Sequence, residues 1–446
     1  MGPITARSPA QFRDRLPEAA DVVVIGGGVA GVSTAWYLAQ AGQRVVLCEK
    51  GRVAGEQSSR NWGWVRQLGR DADELPIMME ANRIWHGLAA ATGEDLGFRA
   101  EGIAYLSRSE RDEARHERTH EVARGQQLQV HRLGRREVEA MIDGRPGLWR
   151  GGLLCPGDGR AEPWQAVPGL ARAARRAGAA IAEDCAVRCL DLAGGKIAGV
   201  VTEQGRIRAE RVLLAGGAWS SLFLANHGIR LPQLTVRSSA ARTAPGPAVF
   251  AGCALDGGLA FRRREDGGYT IALGDRHEHF LGPDSFRFLA PFRHSLRDSW
   301  ESTRIRPAAP GGYPDAWTTA RRWTGDQETP FERLRVLDPA PPRGTADLLR
   351  RRLAERLPAL AEVALTDVWA GMIDTLPDVV PVLDSGAGWE GLFLATGFSG
   401  HGFGIGPAAG RVMADLLRGR SPGHDLTRFR FARFSDGSPI RPGPAL

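Results

Sequence analysis

DVVVIGGGVAGVSTAWYLAQAGQRVVLCEK, running from Asp21 to Lys50, is the stretch that decides the fold. Asp21 to Ile25 is a short β-branched run of the kind buried in a parallel strand. Gly26-x-Gly28-x-x-Gly31 follows, with Ala30 beside its last glycine. Val32, Ala35, Trp36 and Leu38 to Ala39 then recur at helical spacing and stop near Gly42. A second apolar run, Val45 to Cys48, closes on Glu49 and Lys50. The glycines permit a tight turn and close approach of backbone amides to a pyrophosphate. The helix start adds free N–H groups and the positive end of its dipole. Glu49 stands where a carboxylate accepts hydrogen bonds from a ribose diol. The glycine pattern alone is weak; strand, turn, helix, strand and acid in order make it specific. It does not by itself separate NAD from FAD.

The chain has 446 residues, more than one core usually holds, so two domains or one elaborated domain are expected. No stretch is apolar for long enough to span a bilayer. The N-terminal residues lack the apolar segment of a secretory signal. The expectation is a cytoplasmic protein with no integral membrane segment. Net charge is +7, carried almost wholly by arginine, since lysine occurs only at Lys50 and Lys196. The arginines are spread and mixed with acids, as in RSERDEARHERTHE (Arg108 to Glu121), which reads as a solvated helix face. That distribution argues against nucleic acid as a partner, while an anionic small molecule would benefit from it. Five irregularly spaced cysteines give neither a disulfide framework nor a metal site, so no metal is expected.

Further along, Ala166 to Ile181 has helical periodicity with a stop at Gly178. Val187–Leu192, Ile197–Thr202 and Arg206–Ala209 read as a β-meander, which returns to a buried run at Val212 to Leu214 and the turn Ala215-Gly216-Gly217-Ala218-Trp219. Residues 235 to 335 are rich in short strands and turns. In the hairpin FRRRED, Arg262 and Arg264 share one face. Leu392 to Ala395 is a buried strand that enters a glycine-rich loop, Gly397 to Gly406, followed by a helix from Pro407. This is a second helix start directed at a ligand.

Taken together, VVVIGGGVAGVSTAWYLAQAGQRVVLCEK, SSRNWGW, RVLLAGGAWS, DTLPDVVPVLD and GFSGHGFGIGPAAGR resemble the FAD-dependent D-amino-acid oxidase superfamily. They span nearly the whole chain in the family's order. The resemblance implies an α/β fold. A Rossmann-like FAD-binding domain of the glutathione-reductase type is assembled from 18–90, 150–234 and 362–430. An antiparallel-sheet α+β substrate domain comprises 91–149 and 235–361.

The resemblance also implies roles. Gly26, Gly28, Ala30 and Gly31 hold the FAD pyrophosphate, with Glu49 and Lys50 at the adenosine side. Ser58, Ser59, Arg60, Asn61, Trp62 and Gly63 lie along the flavin. Val187, Ala215, Gly216 and Trp219 line the cofactor. Gly400, His401, Gly402, Phe403 and Gly404 form the loop beneath its pyrimidine edge. Trp62 and Trp64 are each either a substrate wall or a packing residue. Arg66 is either a carboxylate clamp or a surface or phosphate-directed arginine. Arg262 or Arg264 is a second clamp candidate, the alternative being a charged solvent-facing edge strand.

Several positions depart from the family's pattern. Gly371 stands where monomeric sarcosine oxidase carries its flavin-linked cysteine, so non-covalent FAD is expected. Gly404 stands where that enzyme has a lysine that helps O₂ react, which favours an acceptor other than O₂. Asp374 stands where a small hydroxyl residue is more usual; it either faces an amine or lies at the surface, and the surface is expected. The implied reaction is oxidation of the C–N bond of an amino acid or secondary amine, followed by imine hydrolysis. The partners are that small molecule and either O₂ or an electron-transfer partner. The alternatives are a non-catalytic or partner-dependent FAD subunit of a multi-subunit amine dehydrogenase, and a flavin hydroxylase.

Overall fold

In the computed structural model, which describes residues 2–386, 388–441 and 443, the strand Val22–Ile25 lies inside a six-stranded sheet. The order across it is Val382–Asp384, Leu392–Thr396, Val212–Leu214, Val22–Ile25, Val45–Cys48, Ala180–Ala182. All pairings are parallel except that of the edge strand Val382–Asp384. Val22 and Val24 face one apolar layer, and Val23 and Ile25 the other. That is why this strand is apolar at every position rather than at alternate ones. On the first face the helices Val29–Gln40 and Gly402–Leu417 lie together. A Cβ at Gly410 would overlap Ser33, so the close crossing depends on glycine there. On the other face sits the antiparallel meander Val187–Ala193, Lys196–Thr202 and Gly205–Arg208.

A ten-stranded mixed sheet forms the rest of the β structure. Its longest ladder joins Leu234–Thr243 to Leu365–Thr375. Gly151–Cys155 also belongs to it, paired with Ile103–Ser107. The domain boundaries expected from the sequence therefore cut through this sheet, because they placed both Gly151–Cys155 and Leu365–Thr375 with the nucleotide unit. The helices Glu110–Gly125 and Thr345–Arg356 flank it. The protein is thus a mixed α/β fold with parallel and antiparallel sheets.

Two helix boundaries differ from expectation. The helix expected over Ala166–Ile181 spans Pro163–Arg176, and Ala180–Ala182 is instead a strand of the parallel sheet. The expected loop Gly397–Gly406 is helical from Gly402, with Pro407 inside the helix. A Cβ at Gly406 would overlap Val29, so the packing needs a small residue on that turn, and this outweighs the poor helix propensity of glycine. Among the described residues, no helix is long and apolar enough to cross a membrane.

Candidate functional site

Two concavities adjoin at Gln57. The first is a cleft at the C-terminal ends of the parallel strands, lined by Gly26, Gly28, Glu49, Lys50, Ser58, Val187, Ala215, Gly216 and Trp219. Gly26 has φ 110°, and a Cβ there would overlap the Ala215 carbonyl. A Cβ at Gly31 would overlap the Gly26 carbonyl, so the helix containing Ala30 starts tight against the turn. Ser58 Oγ accepts a hydrogen bond from Val29 N–H at 2.9 Å. The half-buried Glu49 accepts from Gly27 N–H (2.7 Å) and Gly51 N–H (2.8 Å), and its burial raises the carboxyl pKa to about 7.

Lys50 does not have its donors free for a ligand, as the expected cofactor role would require. Its Nζ donates to Glu56 Oε1 (2.7 Å) and to the carbonyls of Leu334 (3.0 Å) and Arg335 (2.9 Å). Ser59 also departs from expectation. It is buried and accepts from Ile4 N–H, turned away from the cleft. Asp374, expected at the surface, is buried and accepts from Gly397 N–H at 2.9 Å, with its carboxyl pKa raised by burial.

The second cavity has a volume of about 640 Å³. Arg60, Asn61, Trp62, Trp64, Arg66, Gly400, His401 and Phe403 line it. Asn61 spends its side chain on the local turn, donating to the carbonyls of Gln57 and Ser58 and accepting from Gly63 N–H. Trp62 and Trp64 meet edge to face at 5.3 Å. Arg66 uses only Nη1, which donates to the carbonyls of Leu68 (2.7 Å) and Gly69 (3.2 Å) and to the Tyr105 hydroxyl. Its Nε and Nη2 have no partner among the described residues. Gly402 and Gly404 lie in the first helical turn. The Gly404 carbonyl accepts from Trp85 Nε1, and a Cβ at Gly404 would stand 3.2 Å from the Trp64 carbonyl.

Arg262 is not a substrate clamp. It is fully buried and forms a bidentate pair with Glu162, while its Nε donates to the Trp62 carbonyl at 2.7 Å. Arg264 is likewise buried and pairs with Asp266. The strand alternation was read correctly, but the face it identified points into protein.

His401 lines the second cavity with both ring nitrogens lacking a hydrogen-bond partner. Burial, followed by the charges of Arg70 and Arg66, holds its pKa well below the ordinary histidine value. The ring is therefore neutral, and its 3.4 Å approach to Glu74 Oε1 is not an ion pair. Glu74 is itself buried and pairs with Arg70 at 3.2 Å; burial raises its pKa to about 7 and lowers that of Arg70 to about 10. Sequence reading missed Gln57, Glu74, Tyr105 and His277 as site residues. Only Gln57, adjoining the Ser58–Asn61 motif, had a local signal.

Over residues 21–416 the chain matches the FAD dependent oxidoreductase family. It belongs to that family. The membership agrees with the resemblance carried by the sequence motifs, and FAD is the family's cofactor. The chain is similar to the glycine oxidase of Pseudomonas aeruginosa, 27% identical over 90% of this chain and 95% of the relative. It is 26% identical to the mitochondrial dimethylglycine dehydrogenase of Mus musculus, over 94% of this chain but 44% of that longer protein. Among solved structures, L-amino acid deaminase from Proteus myxofaciens in complex with anthranilate superposes with a TM-score of 0.91. That similarity has 29% identity and covers 98% of this chain and 100% of the other.

Proposed function

We propose that this FAD-dependent oxidoreductase oxidises the α C–N bond of an amino acid whose carboxylate is held by Arg66, the imine then being hydrolysed to a 2-keto acid. The observation that carries this reading is Arg66 itself, an arginine with two unused donor nitrogens in a cavity that shares Gln57 with the glycine-turn cleft. Bidentate recognition of a carboxylate needs such a donor pair. Near-complete overlap with an L-amino acid deaminase and a glycine oxidase supports an amino acid as substrate.

The residues present fit FAD. The Gly26–Gly28 turn leaves room for a pyrophosphate, and the first-turn N–H groups of Val29–Gln40 lack acceptors within the helix. Glu49 sits at the ribose end. Gly371 offers no side chain for a covalent link, and a Cβ there would overlap Gln57 Oε1, which supports non-covalent binding. When bound, FAD supplies the two-electron acceptor. The protein's own task is to orient and desolvate the substrate. Trp62, Trp64 and Phe403 provide apolar wall, Arg66 fixes the carboxylate, and neutral His401 offers a hydrogen-bonding nitrogen without adding charge. Glycine at 404 supports a final acceptor other than O₂.

Anaerobic addition of D- and L-amino acids, N-methyl glycines and imino acids to the holoprotein tests this reading. Loss of the flavin band near roughly 450 nm with an amino acid is expected. Bleaching by no amine would overturn it. Release of yellow colour on acid precipitation would verify the non-covalent attachment.

A further inference from the structure

The second cavity holds more positive charge than one α-carboxylate requires. Arg60, Arg66, Arg70, Arg115 and Arg118 line it against a single carboxylate, Asp71. Asp71 is itself matched by Arg428 at 3.8 Å. Arg60 is matched by Asp338, Arg70 by Glu74 and Arg115 by Asp112. Arg66 and Arg118 remain without a carboxylate partner among the described residues.

Arg118 belongs to the helix Glu110–Gly125, which carries Glu110, Asp112, Glu113, Glu117 and Glu121. None of these acids lines the cavity; Arg115, Arg118, Thr119 and Val122 do. Their spacing is that of one helix face, so a helix with five acidic residues and four arginines turns only cationic and neutral side chains toward the cavity, with Arg115, Arg118 and Val122 at its solvent-exposed rim. The helix reaches the Arg66 region through His116, whose ring lies 5.9 Å from that of Tyr105, the hydroxyl partner of Arg66. A second polar group is prepared in the same cavity. His277 is buried in its lining, at the start of the strand His277–Phe280, and its Nδ1 has no hydrogen-bond partner. A buried imidazole nitrogen without a partner is unfavourable unless a ligand supplies one.

We infer that the substrate is an amino acid whose side chain ends in a second anionic group, and that Arg118 and His277 form the subsite that receives it. The inference rests on the reading of Arg66 as the α-carboxylate clamp and deepens it, naming a dicarboxylic or otherwise dianionic amino acid as the class. Desolvation by burial keeps His277 neutral. It therefore contributes a hydrogen bond, while Arg118 contributes the charge.

Binding can be read without turnover from the shift a ligand causes in the visible spectrum of the holoprotein. The probes are glutarate and adipate, set against the monocarboxylates butyrate and hexanoate. Glutamate and 2-aminoadipate are set against norvaline and norleucine in both configurations, under anaerobic conditions. The dianionic member of each pair should bind about tenfold or more tightly, the scale of one charge-assisted hydrogen bond. Arg118→Gln and His277→Phe should each bring that ratio toward one. Arg124→Gln, on the same helix but outside the cavity lining, should leave it unchanged. Equal binding of both classes, or an undiminished ratio in Arg118→Gln, would overturn the inference and leave the Arg66 clamp standing. If no carboxylate of either class perturbs the spectrum, the clamp itself fails and the inference with it.

Discussion

Arg262 holds Glu162 through both terminal nitrogens of its guanidinium, Nη1 to Oε1 at 2.8 Å and Nη2 to Oε2 at 3.1 Å, and both side chains are buried. The pair bridges two distant parts of the chain, since Arg262 sits in the strand Ala260–Arg263 and Glu162 immediately precedes the helix Pro163–Arg176. Removing the cation strands a buried carboxylate. Arg262→Met should therefore cost about 3–5 kcal/mol of unfolding free energy, measured by urea titration. Arg262→Met with Glu162→Met should recover part of that. The Glu162 carboxyl pKa is lowered in the fold, against desolvation, by Arg262 first and by its other partners. Its contribution is therefore present above the unfolded carboxyl value and lost as pH falls through the folded one. A double variant no more stable than the single one would count against this account.

Glu74 predicts the opposite pH behaviour. Burial raises its carboxyl pKa from 4.5 to about 7, so between those values the folded chain binds more protons there than the unfolded chain. By linkage this group's contribution to stability declines as pH rises through that window. Glu74→Gln should gain stability relative to the parent between pH 4.5 and about 7 and run parallel to it above. Urea midpoints taken across that range check the sign. A difference independent of pH would show that Glu74 is ionised throughout.

These two carboxylates also mark how far the sequence was legible. The glycine turn could be read because a β-branched run, a glycine pattern and a helical period are local signals that agree. The strand alternation at Arg262 and Arg264 was legible too, but the partner of Arg262 was not. Glu162 is far away in sequence, and which face of a strand meets protein is decided only by tertiary packing. The Gly402–Gly406 turn was expected as loop because glycine disfavours helix, whereas the close approach of Gly406 to Val29 demands it. Tyr105 and His277 carry no motif. They enter the site because the ten-stranded sheet brings their strands to one cavity.

Two glycine variants separate steric need from chain stiffness. A Cβ at Gly31 would overlap the Gly26 carbonyl, whereas at Gly42, with φ 76°, a Cβ meets nothing within 4 Å. Gly31→Ala must displace the turn that lines the cleft, so purified protein should retain much less FAD, read as the ratio of visible to ultraviolet absorbance. Gly42→Ala should lose about 1 kcal/mol of stability from its left-handed backbone and keep its cofactor. Equal cofactor content in the two variants would remove the Gly26–Gly31 turn from the binding site.

Arg66 and Tyr105 give the most direct test of the carboxylate clamp. Tyr105 accepts from Arg66 Nη1 and donates to the Leu68 carbonyl, which leaves Nε and Nη2 for a ligand. Arg66→Met removes both donors. Its KM for the amino acid should rise about a hundredfold, the scale of a lost charge-assisted pair, with FAD content intact. Arg66→Lys keeps a charge but loses the fork and should recover only part of the loss. Tyr105→Phe leaves the guanidinium present and less constrained, so its effect should be smaller, about three- to tenfold in KM. The ordering Arg66→Met, then Arg66→Lys, then Tyr105→Phe is the expected result in steady-state kinetics with the substrate found by flavin bleaching. A KM unchanged in Arg66→Met would assign the carboxylate to another arginine of the cavity, and Arg118 would be the first to examine.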